Sequence, residues 1–140
     1  MATPFVLDAS LTLSWCFPEE ATDYTRGVLT NLREAYAVVP AHWPFEVANV
    51  LALAEQAGRI TKAVRIEFLE DLEELFIQVE RRPALWVWQQ VLPLAERHQL
   101  TAYDAAYLEL AKREGLPLAT IDGDLRHAAL AERVTLAETS

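Results

Sequence analysis

Cysteine is nearly absent: Cys16 stands alone in 140 residues. A single thiol makes no internal disulfide and no multi-cysteine zinc site. Glycine is scarce, at four residues. No Gly/Ser linker, repeat or low-complexity run divides the chain. No apolar run approaches the ~20 residues of a membrane-spanning helix. No basic amino-terminal segment leads into a signal-type apolar stretch, so no export signal is expected, and a cytoplasmic location is the simplest reading. Positive charge is short as well. Twelve Lys and Arg against 21 Asp and Glu give a formal net charge of −9. Such a chain lacks the broad basic surface that captures nucleic acid. A nuclease is not excluded by this, because divalent cations offset clustered carboxylates and basic residues can be local.

What is present suits one domain over residues 1–140, with 52% hydrophobic residues to build a core. Short apolar runs read as strands: Phe5 to Leu7, Ala37 to Val39, Phe76 to Val79, Leu118 to Ile121, and a weaker candidate from Val134 to Leu136. Between them, helices are expected over Leu11 to Cys16, Ala21 to Tyr36, Pro44 to Gln56, Thr61 to Leu75, Ala84 to His98, Thr101 to Glu114 and Asp124 to Glu132. Pro44 and Pro83 stand at helix starts, where a missing N–H is harmless. Gly58 and Gly115 follow helices as stops. Pro93 should kink or divide its segment. Alternating strands and helices give an α/β fold with a mostly parallel sheet of about four or five strands, flanked by helices.

Sites in such sheets lie at the carboxyl ends of strands. The stretch Pro4-Phe-Val-Leu-Asp-Ala-Ser10 ends a buried strand on Asp8, and Leu118-Ala-Thr-Ile-Asp122 ends another on Asp122. Glu46 sits on a helix whose only other polar residue between Phe45 and Ala54 is Asn49. The stripe Glu46, Val50, Leu53 places that carboxylate on an apolar face, where Asn49 can hold it. Asp104 shares a face with Tyr107, Leu108 and Ala111. Each acid also has a plainer explanation. Glu46 suits the positive end of a helix dipole, Asp104 the third position after a Thr101 cap, and Asp122-Gly123 a turn, with Asp124 capping the next helix. Thr120, two residues before Asp122, points the same way along the strand and can orient its carboxylate. Gathered together, four acids would repel one another and could not all ionise cheaply. A hard divalent cation such as Mg²⁺ or Mn²⁺ resolves the conflict.

The stretches Phe5-Val-Leu-Asp-Ala-Ser10, Val39-Pro-Ala-His-Trp-Pro-Phe-Glu-Val-Ala-Asn-Val-Leu51 and Leu100 through Leu125 resemble the PIN-domain family. The likeness is greatest to the VapC-type toxin ribonucleases of toxin–antitoxin pairs, and it spans essentially the whole chain. The resemblance implies a PIN-like fold and an Mg²⁺- or Mn²⁺-dependent endoribonuclease. It implies Asp8, Glu46, Asp104 and Asp122 as the catalytic acids, with Asp8, Asp104 and Asp122 on the metal. Ser10, Asn49, Thr120 and Asp124 would support them. It also implies a cognate antitoxin whose carboxy-terminal segment occupies a groove in the half containing Phe68, Leu69, Leu72 and Leu75, and a homodimer.

RNA must still approach an acidic protein. Lys112, Arg113 and Arg126 are weak candidates for phosphate contacts, with Arg97 another; each is also explained as an ordinary solvated charge. Trp86 and Trp88 are read as core or dimer contacts, Trp43 as packing, and the three histidines as structural or surface residues lacking mutual metal spacing. Two other functions compete. An aspartyl-phosphate receiver would carry an acidic pair near its first strand and a later strand-end lysine, and a phosphatase of that kind Asp-x-Asp; Asp8-Ala9-Ser10 disfavours both. A PIN-like module that only binds a partner would not need the intact acid set.

Overall fold

Phe5-Val6-Leu7 forms β1 (Phe5–Leu7), buried at all three positions. It lies at the centre of a four-stranded sheet in the order β3-β2-β1-β4. β2 (Ala37–Pro40) flanks it on one side and β4 (Leu118–Ala119) on the other, with β3 (Ile77–Glu80) on the outer edge. Every pairing is parallel: Phe5 opposes Ala37, Val6 opposes Leu118, and Ala37 opposes Ile77. The near-continuous apolar runs of β1 and β2 follow from burial on both faces. This computed structural model describes residues 3–139.

The helices begin where the sequence supplies a cap. α1 (Ala9–Ser14) starts directly after β1, with Asp8 as its N-cap. α2 (Asp23–Leu32) opens on a box between Thr22 and Thr25, and is shorter at both ends than the expected Ala21 to Tyr36. α3 (Trp43–Gln56) has Pro44 in its first turn. α4 (Lys62–Glu73) is capped by Thr61. α5 (Ala84–Trp86) runs through a π-helical segment, Val87–Val91, into α6 (Leu92–His98). Pro93 therefore neither ends nor splits the helix: the wider π turn just before it accommodates the missing N–H. α7 (Ala102–Glu114) is capped by Thr101 and closed by Gly115 at φ 65°. α8 (Gly123–Ala131) follows β4 by way of an Asp122 cap.

Two strand expectations need correction. The last strand is only Leu118–Ala119, because the chain leaves the ladder at Thr120 to start α8. The segment from Val134 to Leu136 contributes one parallel bridge, Leu118 to Leu136, and not a full strand.

The core lies between the sheet and helices on both faces. On α3 the buried stripe is Trp43, Val47, Leu51 and Ala54, at helical spacing. The Trp43 Nε1 donates to Thr12 Oγ1 at 3.1 Å, so this residue packs as expected. Trp88 is not in the core: it is 63% exposed, which leaves only the dimer contact of the two expected roles. Trp86 is half-buried, and its Nε1 donates to Glu109 Oε1. No helix among the described residues is long and apolar enough to cross a membrane.

Candidate active site

The parallel arrangement brings the carboxyl ends of β1 and β4, and the amino-terminal turns of α3, α7 and α8, to one edge of the sheet. Asp8 leaves β1 there and is buried, 3% exposed. Both its oxygens are engaged. Ser10 Oγ and Thr120 Oγ1 each donate to Oδ2 at 2.6 Å, and the Ser10 N–H approaches Oδ1 at 3.4 Å. Burial pushes the Asp8 pKa up, and these hydrogen bonds only partly oppose the rise. Thr120 was expected to orient the Asp122 carboxylate. Its hydroxyl serves Asp8 instead, and accepts from the backbone N–H of Asp122 at 3.0 Å. The strand stops at Ala119, so the alternation that predicted a shared side no longer holds at Asp122.

Glu46 lies in the first turn of α3 and is half-buried. Tyr107 donates its hydroxyl to Glu46 Oε1 at 2.6 Å. The His42 Nε2 stands 3.0 Å from the same oxygen, at an angle that leaves this buried nitrogen without a directed hydrogen bond. Burial works against ionisation of Glu46, but the His42 and Tyr107 contacts outweigh it, and its pKa falls below the ordinary range. The His42 ring packs against Tyr103 and Tyr107, with centroids 5.3 Å and 5.2 Å away. Neither His42 nor Tyr107 stood out as a site residue in the sequence. The available signal was spacing: His42 is four residues before Glu46, and Tyr107 three after Asp104.

Asn49, expected to hold Glu46, is exposed and makes no hydrogen bond to it among the described residues. Along the expected stripe, Val50 is half-buried against the core, but Leu53 is 55% exposed. The buried face of α3 is turned one position away, which leaves Glu46 at its border and Asn49 outside.

Asp104 lies in the first turn of α7, where its backbone N–H donates to the Thr101 hydroxyl. Its expected companions Tyr107, Leu108 and Ala111 are all buried. Burial, and then the negative charges of Asp8, Asp122 and Glu46, raise the Asp104 pKa to about 6. The four acids thus share one electrostatic environment. Asp122 is both a site acid and a cap, because its Oδ1 accepts from the Leu125 N–H at 3.0 Å. Asp124, the other candidate for this cap, is exposed and lies inside the helix.

Among the described residues, no Lys or Arg forms an ion pair with Asp8, Glu46, Asp104 or Asp122. Nor do any three His, Cys, Asp or Glu side chains among them enclose a common point at coordination distance. The cluster is close enough for mutual repulsion but more open than a closed cage. Mg²⁺ and Mn²⁺ fit that donor set: they prefer carboxylate oxygen, and Mg²⁺ retains several waters in place of protein ligands.

The basic candidates are occupied. Lys112 and Arg97 both pair with Glu132. Arg113 pairs with Glu80, Glu109 and Glu114. These partners compete directly with any phosphate. Arg126 is closer to the acids: its Nη1 donates to the Thr120 carbonyl at 2.7 Å, and its guanidinium lies 5.2 Å from the Tyr24 ring centroid. Away from the acids, α3, α4 and β3 enclose an apolar groove of about 710 Å³, lined by Leu51, Leu69, Leu72, Leu75 and Ile77 among others.

The family model for the PIN domain matches residues 5–131. The chain is 31% identical to Ribonuclease VapC3 of Pyrobaculum aerophilum over 120 residues, covering 86% of this chain and 90% of that protein. The crystal structure of PAE2754 from the same organism superimposes with a TM-score of 0.67 at 25% identity, covering 91% of this chain and 87% of that one. The crystal structure of FitAcB from Neisseria gonorrhoeae shares the fold, with a TM-score of 0.66 at 20% identity and 96% coverage of both chains. The sheet order, the four acids at one edge and these similarities have a single explanation: the chain belongs to the PIN-domain family and is of its VapC type.

Proposed function

We propose that this protein is a metal-dependent endoribonuclease, the toxin of a toxin–antitoxin pair, acting in the cytoplasm on RNA phosphodiester bonds. The observation that carries the reading is the state of Asp104. Burial and then three other carboxylates raise its pKa to about 6, and no Lys or Arg among the described residues pairs with any of the four, Glu46 having only the His42 ring beside it. A fold that holds this much uncompensated negative charge at a strand-end edge is arranged for a cation.

Asp8, Asp104 and Asp122 would hold Mg²⁺ or Mn²⁺. When bound, such an ion lowers the pKa of water and offsets phosphate charge. The chain's own residues do the rest. Ser10 and Thr120 fix Asp8 through its Oδ2. Tyr107 and His42 hold Glu46 ionised and aimed, ready to accept a proton from the attacking water. The Asp122 cap ties the fourth acid to the start of α8. Asp124 is exposed at the same helix start and has room to assist. Single-stranded or looped RNA suits this open edge better than a regular duplex.

The antitoxin reading draws support from the α3–α4–β3 groove, whose apolar lining suits the stripe of an amphipathic segment. A basic residue on that partner would complement a −9 surface. A homodimer is part of the same reading, with exposed Leu85, Trp88 and Leu92 as material for a contact.

The test is RNA cleavage by the unaltered protein and by Asp8→Asn, mapped in Mg²⁺, Mn²⁺ and chelator. Cleavage should need a divalent ion and fall by at least about 100-fold in the variant. Cleavage indifferent to chelator, or unchanged by the substitution, defeats the proposal.

A further inference from the structure

A cavity of about 280 Å³ lies beside His42 and Tyr103, bounded by the end of β2, one face of α7 from Ala102 to Arg113 and the helix that begins at Ala84. We propose that it is a nucleobase subsite, which takes one unstacked base of the RNA beside the phosphate to be cut; this rests on the ribonuclease reading above.

Position comes first. His42 and Tyr103 line the cavity and also border the acid cluster. Tyr103 immediately precedes Asp104, and His42 lies 3.0 Å from Glu46. A group held against these two rings lies one side chain away from Glu46 and next to the residue that precedes Asp104.

The wall chemistry comes second. Tyr103, His42 and Trp86 line the cavity, but the Trp86 ring already carries the Arg113 guanidinium at 5.5 Å and His42 packs on Tyr103 and Tyr107, so Tyr103 is the ring left to stack. Tyr103 is 63% exposed although it belongs to the first turn of α7, and it is the most exposed of the three rings. The Arg82 guanidinium lies 5.1 Å from the Trp86 ring centroid and adds a planar cationic surface. Single-stranded RNA is bound largely through bases stacked on aromatic rings and arginine planes.

Charge decides between a base and a phosphate. Arg82 and Arg113 are balanced by Glu80 and Glu109, two of each sign, so the lining is neutral. These groups are already paired, Arg82 to Glu80 and Arg113 to Glu109, each at 2.9 Å. No cation is left over to attract a polyanion. An uncharged flat ring fits this lining. The volume lies just under the range typical of small-molecule pockets, so it admits one ring system and not a run of nucleotides.

The test uses the full chain carrying Asp8→Asn, which keeps RNA intact, and short single-stranded oligoribonucleotides in Mg²⁺. An abasic residue is moved along the strand while affinity is followed by fluorescence anisotropy. One position should show a loss of roughly 5- to 150-fold, the range for a single stacked base. Adding Tyr103→Ala should lower affinity for intact RNA similarly and abolish the abasic penalty, whereas Tyr103→Phe should retain both. An abasic penalty as large in Tyr103→Ala as without it overturns the subsite, and so does a flat scan. If Tyr103→Ala instead changes the mass of the assembly by light scattering, the wall is a contact with a second copy, and the subsite is likewise overturned. Cleavage by the Asp8 protein is scored separately. Cutting with a flat scan removes the subsite and leaves the ribonuclease. A position-specific scan without cutting supports the subsite and removes the ribonuclease. No binding to any RNA removes both.

Discussion

The Thr120 hydroxyl lies 2.6 Å from Asp8 Oδ2, across 112 residues of sequence. It joins the ends of β1 and β4, which pair directly. Ser10 donates to the same oxygen from the first turn of α1. Thr120→Val keeps the branched shape and removes one donor from a buried carboxylate. The ionised form of Asp8 then loses a charge-assisted hydrogen bond of about 1.5–3 kcal/mol. Its pKa, already raised by burial, rises further. Divalent-ion affinity should fall by roughly 10- to 100-fold, as for other residues that orient a ligand. The acid limb of the rate–pH profile should move to higher pH. An unchanged limb would mean that Ser10 alone fixes Asp8.

Asp104 makes stability without metal depend on pH in an uncommon direction. Its pKa is about 6 in the folded protein against 3.8 for the free side chain. The folded state therefore binds the proton more tightly than the unfolded chain does. This contribution is fully present below about pH 4 and is lost as pH rises through about 6. Solvent screening at a half-buried group holds it to about 1 kcal/mol. Chelator-treated protein should lose stability between pH 4 and 6, as read by urea midpoints. Saturating Mg²⁺ should remove or reverse that slope, and Asp104→Asn should reduce it, leaving the part due to Asp8, whose pKa burial also raises. A slope unchanged in the Asn variant would assign it to another group.

Much of this arrangement is legible in the residues, for identifiable reasons. β1 and β2 are buried on both faces, so their apolar runs mark them, and Thr61 and Thr101 announce their helices as caps. Asp8 can be found because a buried strand that ends on an acid is unusual, and Asp122 because it follows an apolar run even though the strand itself stops at Ala119. Three features were hidden. The extent of β4 depends on where α8 starts, and both Asp122 and Asp124 are plausible caps. The exposure of Asn49 depends on how far α3 is rotated, which Glu46 and Val50 alone do not set. His42 and Tyr107 meet Glu46 only when α3 and α7 pack side by side, a tertiary fact that no local pattern contains.

Glu132 gathers Arg97, His98 and Lys112, and its carboxylate is only 8% exposed. Hydrogen bonds from Lys112 and then His98 pull its pKa down to about 2. Here the sign is the usual one for a carboxylate. The contribution is present above about pH 4.5 and is lost as pH falls toward 2. Lys112 and Arg97 reach solvent, with side chains 49% and 57% exposed, so each exposed pair is worth at most about 1 kcal/mol. Glu132→Gln should lower stability by about 1–2 kcal/mol in low salt and by less in high salt. RNA cleavage should be little changed, because this cluster joins α6, α7 and the end of α8, away from the acids. A large loss of cleavage with unchanged stability would instead make Lys112 or Arg97 an RNA contact.

Tyr107 is fully buried, yet its hydroxyl ends on Glu46. Burial, followed by the Glu46 carboxylate, raises the phenol pKa, so the phenol remains a donor at any working pH. Tyr107→Phe preserves the ring and its edge contact with His42, and deletes one hydrogen bond. Stability should change by no more than about 1.5 kcal/mol. The effect on chemistry should be larger, because Glu46 loses one of the two contacts that hold its pKa down. The Glu46 pKa should rise, and the acid limb of the cleavage–pH profile should move to higher pH with little change in KM. His42→Gln should act in the same direction through the other contact. If both variants work through Glu46, their effects should largely disappear in a Glu46→Gln background, where no carboxylate remains to hold. Full, additive losses in that background would show that Tyr107 and His42 act on the RNA directly.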